Sequence, residues 1–160
     1  MDFIQGVDHI GFTVPDLEAA VSFFKEAFGC QELYRLGPFE ADDGWMTRRL
    51  GVHPRARISQ VAILQRGSGA RLELFQYEAP DQSHDMPRNS DFSGHHVAFY
   101  VNDMAQALSH VRRHGGVVMD EPTVTTTGPS AGETWVYVRA PWGLQLELVH
   151  RHDERPGAQK

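Results

Sequence analysis

The sequence predicts an α+β fold: two βαβββ modules forming a cupped mixed β-sheet, with the helices on its outer face. Three observations carry this. First, the chain repeats itself at an offset of 87 residues, pairing His9 with His96, Phe12 with Phe99, Val14 with Val101 and Asp16 with Asp103. The same offset pairs Ala20 with Ala107, Ser22 with Ser109 and Gly29 with Gly116. A repeat of this length is read as a duplicated supersecondary unit. Second, both copies close on Leu-Glu-Leu, at Leu72-Glu73-Leu74 and Leu146-Glu147-Leu148. Third, the hydrophobic period changes from two to that of a helix at matching points in both copies.

Each element has a local cause. Val7–Val14 alternates and predicts a strand. Asp16 supplies an N-cap oxygen, and Leu17, Ala20, Val21, Phe24 and Phe28 form one apolar stripe that Gly29 can end. Strands follow near Glu32–Leu36, Ile58–Gln65 and Arg71–Tyr77. In the second copy Asp103 is the cap, Met104, Ala107, Leu108 and Val111 form the stripe, and Gly115-Gly116 stops it. Its further strands are expected near Val117–Met119, Thr134–Arg139 and Leu144–His150. His9 precedes Glu73 by 64 residues and His96 precedes Glu147 by 51, so the first copy carries 13 extra residues. They are placed around Gly37–Arg57. The expected organisation is a first module at 1–79, a linker at 80–92, a second module at 93–150 and a mobile polar tail at 151–160, all within one structural domain. Thr123–Gly132, rich in Thr, Gly, Pro and Ser, reads as a long connection that could equally border a site or be plain surface.

Composition narrows the function. The 160 residues are 41% hydrophobic, enough for a real core. The formal net charge of -6 gives no basic footprint for nucleic acid or an anionic membrane. There is no apolar run of membrane-spanning length and no basic, then apolar, leader. Cys30 is the single cysteine, so no intramolecular disulfide forms. A cytoplasmic protein with a small-molecule substrate is expected.

Strand parity then locates the chemistry, because successive side chains face opposite sides of a sheet. Ile10, Phe12 and Val14 should face the helix, as should Val97, Phe99 and Val101. His9 and His96 then face away. Leu72, Leu74, Leu146 and Leu148 take the helix side, so Glu73 and Glu147 take the other. A carboxylate on an inner sheet face is costly unless paired, solvated or metal-bound. Two imidazoles and two carboxylates suit one divalent ion, Zn, Ni, Co, Mn or Fe, leaving room for water or substrate oxygens. A lone strand His or Glu is usually structural, and the other seven histidines are read so. His95 has the wrong parity and is assigned to the strand's entrance. Four groups at repeat-equivalent positions and of one parity are harder to explain structurally.

These motifs resemble the vicinal oxygen chelate superfamily, which includes glyoxalase I, methylmalonyl-CoA epimerase, extradiol dioxygenases and bleomycin- and fosfomycin-resistance proteins. The matching residues are Asp8-His9-Ile10-Gly11-Phe12, Val14-Pro15-Asp16-Leu17, Leu72-Glu73-Leu74, Gly94-His95-His96-Val97-Ala98-Phe99, Val101-Asn102-Asp103 and Pro141-Trp142-Gly143, leading into Leu146-Glu147-Leu148. They run from about Val7 to Val149. The resemblance implies that His9, Glu73, His96 and Glu147 are metal ligands, in a set similar to that of glyoxalase I and the epimerases. The Gly37–Arg57 segment has no obvious counterpart there.

Such a site suits proton abstraction beside a carbonyl, with the metal stabilising an enediolate. Glu147 and Glu73 are the candidate catalytic carboxylates, Glu147 being preferred by resemblance to glyoxalase I. The expected activity is an isomerase, epimerase or lyase acting on a small α-hydroxycarbonyl or thioester compound. The alternatives are an Fe(II) extradiol-type dioxygenase and a non-catalytic drug- or metabolite-binding resistance protein. Tyr100, Phe75, Trp135 and Tyr137 are candidate substrate-wall residues, although aromatic side chains there could equally be core. Trp45, Arg48 and Arg49 could reach an anionic substrate, but an exposed amphipathic turn explains the two arginines better. A homodimer is expected from the resemblance.

Overall fold

The two copies of the repeat fold into the same strand order because both alternate apolar and polar residues in the same places. The computed structural model describes residues 3–151. The polar tail beyond Arg151 lies outside the described residues. The chain divides into two compact units, Met1–Asp85 and Met86–Lys160.

The first unit runs β1 His9–Thr13, α1 Leu17–Phe28, β2 Gln31–Leu36, α2 Asp43–Leu50, β3 Arg57–Gln65 and β4 Arg71–Glu78. Its sheet order is β1-β4-β3-β2. β1 lies parallel to β4, and the other pairs are antiparallel. The second unit runs β5 Val97–Tyr100, α3 Met104–Arg113, β6 Val117–Val118, β7 Thr123–Val124, β8 Thr134–Arg139 and β9 Gln145–His150. Its order is β5-β9-β8-β6, with β7 also pairing β8. β5 is again parallel to β9. This is the βαβββ plan of the sequence reading, with mixed sheets in both units.

The helices begin where the sequence predicts. Asp16 is extended (φ -143) and its carboxylate accepts from the Ala19 N–H at 2.9 Å. The Leu17 N–H donates to Gln76 Oε1 at 2.8 Å, which ties the start of α1 to β4. Asp103 repeats the cap on Gln106 N at 2.9 Å. Its carboxyl is held below the ordinary aspartate range, chiefly by that backbone N–H. Gly29 ends α1 in the left-handed region (φ 63), where a Cβ would be strained. α3 ends one residue earlier than the Gly-Gly pair, with His114 as its cap. Gly116 donates to Val111 O at 3.0 Å, and a Cβ there would stand 2.3 Å from Val111 Cγ1. Replacing Asp16 with alanine should cost about 1 kcal/mol of stability, read as a lower urea midpoint; an unchanged midpoint would remove the cap from the account.

The apolar stripes pack as the parity argument requires. α1 lies against β2, β3 and β4, and α3 against β6 and β9. Leu72, Leu74, Leu64, Ala62 and Phe24 form the helix-side core of the first unit, and Leu146, Leu148, Val136, Val138 and Val111 that of the second. Each fully buried leucine contributes about 1.5–3 kcal/mol. One expectation fails here. Ile10 is 37% exposed, although it shares the face of buried Phe12 and Val14. β1 pairs with a strand on one side only, so a side chain at its start is covered from one side only.

The 13 extra residues contribute α2. Met46 is fully buried, and Trp45 meets Phe39 edge-on at 5.2 Å. Phe39 in turn bridges Ile58 in antiparallel fashion. Trp45 therefore has a packing partner, while Arg48 and Arg49 are exposed on the last turn of the helix. Thr123–Gly132 is more ordered than the plain connection expected from sequence. Thr123 and Val124 pair with Trp135 and Thr134. Thr125 and Glu133 continue the pairing, with the Thr125 N–H donating to Glu133 O at 2.8 Å. Among the described residues no helix is long and apolar enough to cross a membrane.

Candidate functional site

The register of the parallel strands brings each histidine to its glutamate. Gly11 is the Cα partner of Glu73, and His9 lies two residues earlier on the same face. Ala98 is the Cα partner of Glu147, with His96 likewise two residues earlier. The outcome is the same in both units. His9 Nε2 stands 3.1 Å from Glu73 Oε2, and His96 Nε2 stands 3.1 Å from Glu147 Oε2. Glu73 and Glu147 are 21% and 15% exposed, against 47% and 32% for their histidines.

The residue beside each pair is small, Gly11 in one unit and Ala98 in the other. A Cβ on Gly11 would meet Phe75 Cε2 at 3.5 Å and Glu73 Oε2 at 3.9 Å. That is ordinary contact for a methyl group, and Ala98 stands at the matching position of the other unit.

A second partner aims each ring. His9 Nδ1–H donates to Asp8 Oδ2 at 2.9 Å, and His96 Nδ1–H donates to Asn89 Oδ1 at 3.1 Å. Tying Nδ1 points Nε2 at the carboxylate, which is how ligating histidines are held. Asp8 and Asn89 were not singled out from the sequence. Asp8 adjoins His9 and could have been found, whereas Asn89 comes from the linker and carries no sequence signal. His95 is turned elsewhere, its Nδ1 2.9 Å from Ser93 O.

The proton inventory follows from these contacts. With carboxylates at both nitrogens, the His9 imidazolium is favoured and its pKa is raised above 6.5, first by the Asp8 hydrogen bond and then by the Glu73 charge. Asp8 moves the opposite way, through the same bond and Arg71. A raised folded-state value means that protonated His9 stabilises the fold below about pH 6.5, and this is lost as pH rises through the higher folded value. In metal-stripped protein the His9 ring should titrate above 6.5 by NMR, and Asp8→Asn should lower that value. Titration at or below 6.5 in both would contradict the geometry.

The wall residues separate by unit. Phe75 stacks on Tyr77 with ring centroids at 5.3 Å, and both pack on Ile58, Val61 and Ile63. These share the parity of Glu73, so this face of the first unit is apolar around one carboxylate. Tyr77, two strand positions beyond Phe75, was missed by the sequence reading. Burial, and then the Glu73 charge, raise its phenol pKa. In the second unit Tyr137 is the Cα partner of Glu147, and Trp135 that of Val149. This register puts both aromatics on the Glu147 face, which the sequence could not decide. Tyr137 packs edge-on against His96 at 5.1 Å, and Trp135 Nε1–H donates to Thr125 Oγ1 at 3.1 Å. Tyr100 is 67% exposed beneath the guanidinium of Arg151, 4.3 Å from its ring centroid. A depression of about 260 Å³ opens on this face, with Ala98, Tyr100, Glu133, Glu147, Val149 and Arg151 among its lining. Within either unit, no described cluster of three or more His, Cys, Asp or Glu side chains is gathered to hold an ion. Each unit holds one His–Glu pair.

Residues 8–137 match the Glyoxalase/Bleomycin resistance protein/Dioxygenase superfamily, and the chain belongs to it. The matched span contains His9, Glu73 and His96; Glu147 lies beyond it. A 2-epi-5-epi-valiolone epimerase from Actinomyces sp is 47% identical over 145 residues, covering 90% of this chain and 78% of that protein. Among solved structures, a glyoxalase family protein from Bacillus cereus superposes with a TM-score of 0.73 at 23% identity, covering 92% of this chain and 94% of the other. The fosfomycin resistance protein FosX from Mesorhizobium loti gives a TM-score of 0.56 at 18% identity, covering 91% of each. Likeness at these identities shows the fold.

Proposed function

We propose that this protein is a divalent-metal-dependent epimerase acting on a small α-hydroxy ketone, with His9, Glu73, His96 and Glu147 as the metal ligands. The repeated pair carries the reading: twice, an imidazole Nε2 faces a glutamate Oε2 at 3.1 Å from the same sheet register. The residues fit an ion chemically. Each Nδ1 is engaged by Asp8 or Asn89, which leaves Nε2 as the donor atom. Two imidazoles with two carboxylates suit Zn, Ni, Co, Mn or Fe. The epimerase named among the relatives supports the reaction class and a ketone substrate.

When bound, the ion supplies a Lewis acid that holds substrate oxygens and offsets the negative charge developing as the neighbouring carbon loses its proton. The carboxylates move the proton. Epimerisation takes it from one face of a carbon and returns one to the other, and Glu147 and Glu73 are the two groups available for those roles. Glu147 is taken as the principal base. It is the less exposed carboxylate, and it lines the depression.

The test combines elemental analysis with turnover of 2-epi-5-epi-valiolone in deuterated water. One ion per site, metal-dependent epimerisation and deuterium at the inverted carbon are expected. Metal-free activity, or oxygen uptake with catechols in place of epimerisation, would overturn the reading. The proposal includes a homodimer. Mixing His9→Ala protein with His96→Ala protein should restore activity if the two pairs of a site come from different copies, and should not if they come from one.

A further inference from the structure

We propose that the Glu133–Arg151 ion pair, together with Tyr100, forms the hydroxyl-recognition end of the substrate pocket. This rests on the epimerase reading for the reaction and on the second unit's geometry for the binding. Three rows of side chains cross one face of the sheet. Ala98, Glu147 and Tyr137 form the first and Tyr100, Val149 and Trp135 the second, by register. Arg151 and Glu133 continue the same parity just past the strand ends. All three rows contribute to the lining of the depression, so the chemistry-bearing carboxylate and the ion pair open onto one space.

The pair is fixed in position. Arg151 Nε donates to Glu133 Oε1 at 2.8 Å, and the guanidinium lies over the Tyr100 ring at 4.3 Å. Glu133 is 12% exposed and Arg151 51% exposed, so the carboxylate is the sheltered anchor and the guanidinium the accessible member. A guanidinium carries five N–H donors, of which Nε supplies one. Its Nη edge is suited to hydroxyl oxygens, and the carboxylate beside it can accept hydroxyl protons. A vicinal diol presents that same combination of donor and acceptor.

The experiment measures binding of 2-epi-5-epi-valiolone by calorimetry on metal-loaded protein, alongside turnover. Arg151→Met keeps the stem over Tyr100 and removes the donors. It should weaken binding of the ketone about 10- to 100-fold, the effect of losing a charged hydrogen bond, and the loss in turnover should fall on KM rather than kcat. Arg151→Lys should recover part of it. Glu133→Gln keeps an accepting oxygen but weakens the hold on Arg151, and should weaken ketone binding less than Arg151→Met does, again on KM rather than kcat. Unchanged ketone binding in Arg151→Met, with turnover intact, would overturn this proposal and leave the epimerase reading standing. Binding weakened by Arg151→Met in a protein that turns over nothing would support the pocket and overturn the epimerase reading. No ketone binding by the native protein would overturn both.

Discussion

Replacing His96 with alanine should abolish metal binding and, with it, turnover. In the proposed site the imidazole supplies one of two nitrogen donors, and among the described residues its neighbour His95 offers no substitute, having the opposite parity and being turned toward Ser93 O. The readout is thermal. An ion bound only by the folded state raises stability by about 4 kcal/mol at a thousandfold excess over its Kd. His96→Ala should erase that increment while changing the metal-free protein little, because the side chain is 32% exposed. His9→Ala should do the same, since its pair is built on the same register. If instead the metal-induced shift survived and only the metal-free fold weakened, the pair would be a structural ion pair and the metal reading would fall.

Glu147→Gln should lower kcat by about 10²- to 10⁴-fold, the range for loss of a positioned general base. The substitution keeps the shape of the side chain and one oxygen, so the fold and the His96 contact should persist while the basic oxygen is lost. Solvent exchange separates the roles. If Glu147 removes the proton from one epimer and Glu73 from the other, each Gln variant should still exchange deuterium into one epimer and not into its partner. If Glu147 serves both faces, its variant should exchange neither, and Glu73→Gln should exchange both slowly. Loss of turnover in Glu73→Gln alone, with Glu147→Gln within tenfold of the native protein, would reassign the base.

Much of this was legible in the sequence because it depends on period and repetition. A period-two strand fixes which face a side chain takes. Two copies of the same pattern therefore place His9, Glu73, His96 and Glu147 on the faces turned away from the helices. Capping is just as local, and Asp16 and Asp103 cap their helices as read. Ile10 departed from the pattern because burial depends on what lies beside a strand, and β1 has only one neighbouring strand. Thr123–Val124 departed because two residues carry too little periodicity to register as a strand, although their pairing with β8 forms one.

What the sequence determined by itself is the fold plan, the identity of the two His–Glu pairs and the face that each occupies, because all three follow from local alternation and a repeat. Only the tertiary structure decided that each histidine meets its own glutamate, since that requires the register between strands far apart in the chain. It also decided that Asp8 and Asn89 aim the rings, and that Trp135 and Tyr137 share the Glu147 face. The Glu133–Arg151 pair belongs to the same class. It joins residues 18 apart at the ends of two strands, and it exists because antiparallel pairing of β8 and β9 carries both past the sheet on the same side.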